Sequence, residues 1–157
     1  MMFTPISQAL YPKVSQDCAV SAKKGLHTVM SIAFPICASF GLLLTIVWYS
    51  RTAIISLLFG EEYLECEYVV LPLSIWTLLG IVNNFLGIQL LIPLGFQRVY
   101  GTLMACSVAL SLILNIILGQ LYGAMGIAMA AAICEALLTA ALAVSLRVLV
   151  FSKSSNG

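Results

Sequence analysis

The sequence predicts an all-α polytopic membrane protein, a bundle of about four transmembrane helices with both termini in the cytoplasm. Of its 157 residues, 62% are hydrophobic and only 8% are charged, whereas soluble domains average about 25% charged residues. The mean hydropathy is +1.09. Residues 25–50, 68–97 and 99–134 contain no Asp, Glu, Lys or Arg. Each of these stretches is longer than the roughly 20 helical residues that cross a hydrocarbon core.

The first two charge-free stretches predict one spanning helix each, Thr28–Tyr49 and Val69–Leu94. An alternative is one helix from Thr28 to Phe59, but its length of roughly 48 Å would leave Arg51 inside the hydrocarbon core. We therefore favour a break near Ser50, with 52–59 lying at the outer membrane interface.

The third stretch predicts a helical hairpin. Past the single charge of Glu135, the apolar sequence continues to Arg147, which would give roughly 70 Å of unbroken helix. Three glycines in Gly119–Gly126 indicate where the chain turns. The two predicted helices are Gly101–Leu118 and Gly126–Phe151.

The flanking segments and the basic residues predict the orientation. Residues 1–27 are expected to be a cytoplasmic or interfacial segment in which Phe3–Leu10 is the tail of a preceding helix, and 152–157 a cytoplasmic tail. Cytoplasmic loops retain excess Lys and Arg. Arg51 alone lies in an opposite loop, with the acidic cluster Glu61, Glu62, Glu65 and Glu67. The other six basic residues fall on the predicted cytoplasmic side: Lys13, Lys23, Lys24, Arg98, Arg147 and Lys153.

Several function classes are disfavoured by the same composition. A formal net charge of +1 provides no electrostatic footprint for nucleic acid. The sequence contains no Walker, GxSxG or HExxH motif, so we expect no enzyme activity. Its five cysteines and His27 lack the spacing of metal ligands. We therefore expect no cofactor and no metal.

Polar residues within the predicted spans are the candidate functional groups. Asn83 and Asn84 lie near the middle of the second helix, and Glu135 lies near the middle of the fourth. A carboxylate at this depth costs at least about 2.5 kcal/mol, so it should face protein or water. A stripe of alanines at 128, 132, 136 and 140 directs Glu135 into a bundle. Glu135 either lines a cavity that handles a proton, cation or polar substrate group, or forms an interhelical hydrogen bond.

Proline positions suggest one further candidate. Pro35 lies well inside the first predicted span and is a candidate hinge. Pro72 lies in the first turn of the second helix, where proline is ordinary. Pro93, close to Gly95, indicates a helix end.

Five short segments occur in an order that characterises one family of membrane proteins. They are Tyr11-Pro12-Lys13-Val14-Ser15, Leu58-Phe59-Gly60-Glu61-Glu62-Tyr63, Gly95-Phe96-Gln97-Arg98, Asn115, and Tyr122-Gly123-Ala124-Met125-Gly126-Ile127-Ala128 running on to Glu135. In these segments the chain resembles the polysaccharide and O-antigen flippases of the multidrug/oligosaccharidyl-lipid/polysaccharide exporter superfamily. The resemblance covers nearly the whole chain, which matches helices nine to twelve of the family's twelve or more.

The resemblance implies a function and a set of partners. The function is translocation of an undecaprenyl-pyrophosphate-linked oligosaccharide, an O-antigen or capsule repeat unit, across the bacterial inner membrane. The implied partners are this lipid-linked oligosaccharide, the membrane, and an N-terminal lobe or other polysaccharide-assembly proteins. Because alternating access requires two lobes, the chain is expected to be a fragment, a truncated form or one piece of a split transporter, inactive alone.

A sugar headgroup needs hydrogen bonds inside the bilayer, and Asn83, Asn84, Gln89 and Glu135 are candidates to line such a cavity. Two alternatives stay open. A multidrug or metabolite cation antiporter of the same superfamily would also use the intramembrane carboxylate. A non-transporting helical membrane subunit would need no cavity.

Overall fold

The fold is helical throughout the part of the chain that the structure describes. This computed structural model describes residues 12, 14–17 and 21–155, with the backbone alone at 22, 23 and 150–155. The predicted helix tail at Phe3–Leu10 lies outside the described residues. The elements are α1 Ala22–Tyr49, α2 Arg51–Leu58, a 3₁₀ helix Glu61–Val69, α3 Val70–Leu86, a π-helix Gly87–Leu91, and α4 Gln97–Ser155.

The first helix is longer than predicted at its amino end and stops where the sequence indicates. α1 begins at Ala22 rather than Thr28, because a polar turn outside the apolar stretch still makes helical hydrogen bonds. At the other end, Ser50 leaves helical geometry with φ −95° and ψ 11°. The structure therefore interrupts the helix at Ser50, and the single helix through Phe59 does not form. Pro35 lies inside α1 with an exposed side chain.

The second predicted helix is composite rather than one α-helix. It starts as the 3₁₀ helix, continues as α3 and widens into the π-helix before the chain turns at 92–95. Pro93 has no N–H for the carbonyl four residues earlier, and its ring would collide with that carbonyl in a regular α-helix. The wider bond from Ile92 N to Gly87 O, 3.2 Å long, replaces the regular pattern. Gly95 then ends the segment at φ 91°.

α4 is a helical hairpin whose reversal point is Gly123. This glycine has φ 58° and ψ −136°, which is not helical. We call 97–122 the first arm and 124–155 the second arm. Ser111 of the first arm and Ala131 of the second line the same cavity, although 20 residues of straight helix would separate them by roughly 30 Å. The predicted turn within Gly119–Gly126 is thus present, but it is a single residue rather than a loop.

Packing among α1, α3 and the second arm of α4 forms the core, and most of the helix surface is apolar. Among the residues that the structure describes, three helical stretches are long and apolar enough to cross a membrane: Lys24–Tyr49, Glu61–Leu91 and Gln97–Leu149. Large side chains such as Phe34, at 75% exposed, point away from the protein. Soluble monomers rarely expose continuous apolar surface on this scale. The buried core consists of Val14, Val29, Ala33, Ile81, Phe85, Leu90, Leu91, Leu94, Leu138, Leu142 and Leu146.

The core also shows which helix ends lie together. Val29 near the start of α1, Leu94 after the π-helix and Leu146 near the end of α4 belong to one cluster. Three basic residues lie within five positions of these core residues along the sequence: Lys24, Arg98 and Arg147. At this end Asp17 forms an ion pair of 3.1 Å with Lys24 and accepts a hydrogen bond of 2.9 Å from Thr28. At the opposite end, Arg51 lies near Glu67.

Gly126 provides a test of the hairpin, because a Cβ at this position would overlap the carbonyl of Leu118. We expect Gly126→Ala to lower the free energy of unfolding by about 1–3 kcal/mol, as overpacking does. Gly101→Ala is the matched control, since nothing lies within 4 Å of a Cβ there. Thermal unfolding of the two variants in detergent measures the difference. Equal midpoints would contradict the close packing of the two arms.

Candidate functional site

Glu135 is joined to Asn83 across the interface between α3 and the second arm of α4. The Asn83 Nδ2 donates hydrogen bonds to Glu135 Oε2 at 2.8 Å and to the Glu135 backbone oxygen at 3.2 Å. Asn83 is only 6% exposed. The same Glu135 backbone oxygen accepts a hydrogen bond of 2.7 Å from the Thr139 hydroxyl. Asn83 therefore fixes both the side chain and the backbone of Glu135.

Close approach of α3 to Glu135 depends on Gly80. A Cβ at Gly80 would lie 3.3 Å from Glu135 Oε1, within the range where a neighbour must shift. Gly80 precedes Asn83 by three residues, so both face the second arm from one side of α3. The Asn83 Oδ1 is buried and has no hydrogen-bond partner among the described residues. Leaving a buried acceptor unpaired costs about 1–3 kcal/mol.

Two cavities border Glu135. The first, about 250 Å³ in volume, lies against α3, and the second, about 240 Å³, lies between the two arms of α4. Glu135 and Trp76 line both cavities. The first cavity is lined by Trp76, Thr77, Gly80, Ile81, Asn84, Phe85 and Glu135. The second is lined by Trp76, Met104, Ser107, Val108, Ser111, Ala131, Cys134, Glu135 and Leu138.

These cavities differ in their polar groups. The first offers the amide of Asn84 and the carboxyl group of Glu135, beside the ring of Trp76. The second offers the hydroxyls of Ser107 and Ser111. An aromatic face with a few convergent polar groups is the usual composition of a small-molecule site. Glu135 has no ion-pair partner among the described residues.

The structure brings together three of the four residues that the sequence nominates. Asn83 bonds Glu135, and Asn84 lines the first cavity with it. Gln89 is fully buried in the π-helix and lines neither cavity. Pro35, the candidate hinge, lies on α1 and likewise borders neither cavity.

Sequence reasoning missed Trp76, Thr77 and Gly80. The sequence does contain a signal for these residues. The face of α3 that carries Asn84 follows the helical repeat, and it comprises positions 76, 77, 80, 81, 84 and 85. Sequence reasoning also missed Ser107 and Ser111. Ser111 accepts hydrogen bonds from the side chain of Asn115 at its backbone oxygen, 2.8 Å, and at its hydroxyl, 3.1 Å.

Comparison with protein-family models, curated proteins and solved structures found no match to this chain. Within the described residues, no group of three or more His, Cys, Asp or Glu side chains is placed to hold a metal ion. Interpretation of the site therefore depends on its own geometry.

A double-mutant cycle measures the bond between α3 and α4. We expect Asn83→Ala and Glu135→Ala to show a coupling energy of about 0.5–2 kcal/mol in the free energy of unfolding in detergent, because each removes the other's partner. The control cycle pairs Glu135→Ala with Thr77→Ala. Thr77 lines the same cavity but donates its hydroxyl hydrogen bond, 2.8 Å long, to the Leu73 backbone oxygen. If the coupling energy between Asn83 and Glu135 were no larger than that between Thr77 and Glu135, the result would contradict the assigned hydrogen bond.

Proposed function

We propose that this chain forms four transmembrane helices of a flippase that moves an undecaprenyl-pyrophosphate-linked oligosaccharide across the bacterial inner membrane. The observation that carries the proposal is the position of Glu135, held by Asn83 between two cavities inside apolar helices. Such a transporter would serve O-antigen or capsule assembly and would act together with an N-terminal lobe. The five flippase-like segments give the proposal its substrate class.

The hairpin in α4 supports a proposal of four spans. The apolar stretch Gln97–Leu149 contains 53 residues, which is roughly 80 Å of helix and more than twice the hydrocarbon thickness. Reversal at Gly123 divides it into two arms, each long enough to cross once. Together with α1 and the composite helix 61–91, the proposed topology has four spans, with Lys24, Arg98 and Arg147 at one end. By the positive-inside rule, the proposal places that end and both termini in the cytoplasm.

The first cavity offers a sugar both polar groups and an aromatic ring. Carboxyl, amide and hydroxyl groups can replace the water that sugar hydroxyls lose in hydrocarbon, and an indole ring offers a flat apolar face with a polar edge. Trp76 is 44% exposed, so its ring is accessible. Glu135 from the second arm of α4 and Asn84 from α3 both line this cavity.

The pyrophosphate must be bound elsewhere. No Lys or Arg occurs between Arg51 and Arg98 or between Arg98 and Arg147, so these four helices present no cation within their spans. Charged phosphate groups require cationic or strong hydrogen-bond donors. The proposal therefore assigns phosphate binding to the partner lobe and sugar contact to this chain.

A cation antiporter of the same superfamily is the second candidate. The specific observation in its favour is that Glu135 has no basic partner among the described residues, so the carboxylate is available to a cation or proton. The substrate distinguishes the two functions. A flippase restores surface polysaccharide, whereas an antiporter restores tolerance of an exported cation.

Complementation of a flippase-null bacterial strain tests the proposed function. We expect no surface polysaccharide with the 157-residue chain alone and restored polysaccharide when a flippase N-terminal lobe is co-expressed, because alternating access needs both lobes. Glu135→Gln should reduce the rescue, whereas Thr102→Ala, at an exposed position outside both cavities, should retain it. Full rescue by Glu135→Gln would remove the assigned role of the carboxylate, and rescue by the chain alone would refute the need for a second lobe.

Reporter fusions test the topology. Fusions after Glu65 should report a periplasmic position, and fusions near Arg98 or after Lys153 a cytoplasmic one, because the basic residues follow the positive-inside rule. A fusion between Leu121 and Met125 should be periplasmic if α4 crosses twice. A cytoplasmic signal there would show that the hairpin does not span the membrane.

A further inference from the structure

A groove between α1 and α3 lies apart from the Glu135 cavities. Its volume is about 180 Å³, and its walls include the apolar side chains of Leu44, Leu71 and Leu78. Gly41 forms part of the α1 wall, and nothing lies within 4 Å of a Cβ built there. The groove is therefore open beside Gly41.

The hydroxyl groups in this groove are already satisfied. Thr45 donates to the Gly41 backbone oxygen at 2.7 Å, and Ser74 donates to the Val70 backbone oxygen at 2.8 Å. Because each hydroxyl donates to its own helix, the groove presents a mostly apolar surface to an occupant. An extended hydrocarbon chain fits that chemistry better than a polar solute.

Charged groups lie at one end of the groove. The guanidinium of Arg51 lies 5.3 Å from the ring centroid of Trp48, which lines the groove, and its Nη1 donates to the Trp48 backbone oxygen at 3.2 Å. Arg51 Nε lies 3.6 Å from Glu67 Oε2. The Thr52 hydroxyl donates to the same carboxylate oxygen at 2.7 Å. Guanidinium and carboxylate thus form an adjacent positive and negative pair, each about one third exposed at 32% and 35%.

We propose that this groove binds one acyl chain of a zwitterionic phospholipid with an ammonium headgroup, the phosphatidylethanolamine class. The headgroup phosphate would accept hydrogen bonds from Arg51, whose Nη2 has no hydrogen-bond partner in the described part of the chain. The ammonium group would donate to Glu67. The charge pair at the groove end is complementary to a headgroup that itself carries one positive and one negative charge.

The wider charge distribution selects against anionic lipids. Arg51 is the one basic residue among 50–69, and the same segment carries Glu61, Glu62, Glu65 and Glu67. This excess of negative charge repels an anionic headgroup, whereas a headgroup with an ammonium group gains carboxylate partners. An acyl chain is as apolar in the groove as in the bilayer, so the headgroup decides which lipid is retained. The site is independent of Glu135 and of the proposed transport function.

Native mass spectrometry of the full chain tests this inference. The detergent-purified protein is mixed with equal amounts of phosphatidylethanolamine, phosphatidylcholine and phosphatidylglycerol that carry identical acyl chains. We expect phosphatidylethanolamine adducts to exceed phosphatidylglycerol adducts by about tenfold, the effect of one charge-assisted hydrogen bond. Arg51→Gln should reduce phosphatidylethanolamine retention by a similar factor. Glu67→Gln should remove the preference for phosphatidylethanolamine over phosphatidylcholine.

Two glycine variants separate groove binding from surface binding. Gly41→Phe places a ring in the open space of the groove and should abolish the adduct. Gly101→Phe is the matched control, because Gly101 is also helical with open space around a Cβ but lies outside the groove. A second variant, Gly41→Leu, is also tested. Its thermal midpoint is compared with that of the parent protein, to show that loss of the lipid does not result from misfolding. The inference is overturned if phosphatidylglycerol predominates, if detergent alone is retained, or if a folded Gly41 variant keeps the lipid as Gly101→Phe does.

Discussion

The hydrogen bond from Asn83 to Glu135 joins α3 to the second arm of α4 at a point where water is scarce. A carboxyl group among apolar helices must face a partner or a cavity, and here it has both. Gly80 on α3 lets the two helices approach closely enough for the bond. Of the four alanines in the predicted stripe, Ala128 is buried, whereas Ala136 and Ala140 are exposed, so the stripe as a whole does not form this contact. The position of Trp76 and of both cavities follows from that approach, so the candidate site depends on one interhelical contact.

The hydrocarbon thickness imposes a second constraint, which acts on chain length. A mostly apolar stretch of 53 residues is too long to cross a bilayer once as a single straight helix. Gly123 resolves this, because its positive φ of 58° is available to glycine at little cost. The reversal takes a single residue, and the close approach of Gly126 to Leu118 shows how tightly the arms meet. As a result Ser107 and Ser111 face Glu135 across the second cavity.

The two ends of the bundle have different chemistry. At one end, Lys24 pairs with Asp17, and Arg98 and Arg147 lie near the same core cluster. At the other end, Arg51 and Glu67 form a charge pair beside an apolar groove. A transporter that handles a lipid-linked sugar must contact both lipid and polar headgroups. Separate sites for these two tasks, one at Glu135 and one at Arg51, are compatible with the proposed function.

The sequence by itself determined the helical class, the apolar stretches and the break at Ser50, because charge-free length and helix-breaking residues are local properties. It also nominated Asn83 and Glu135, since a polar residue within an apolar stretch stands out without a structure. The π-helix, the single-residue reversal at Gly123 and the burial of Gln89 inside the π-helix needed the tertiary structure. So did the roles of Trp76 and Gly80, which are ordinary residues in the sequence. These features depend on how two helix faces meet, and contact between residues 52 positions apart is not encoded in any local pattern.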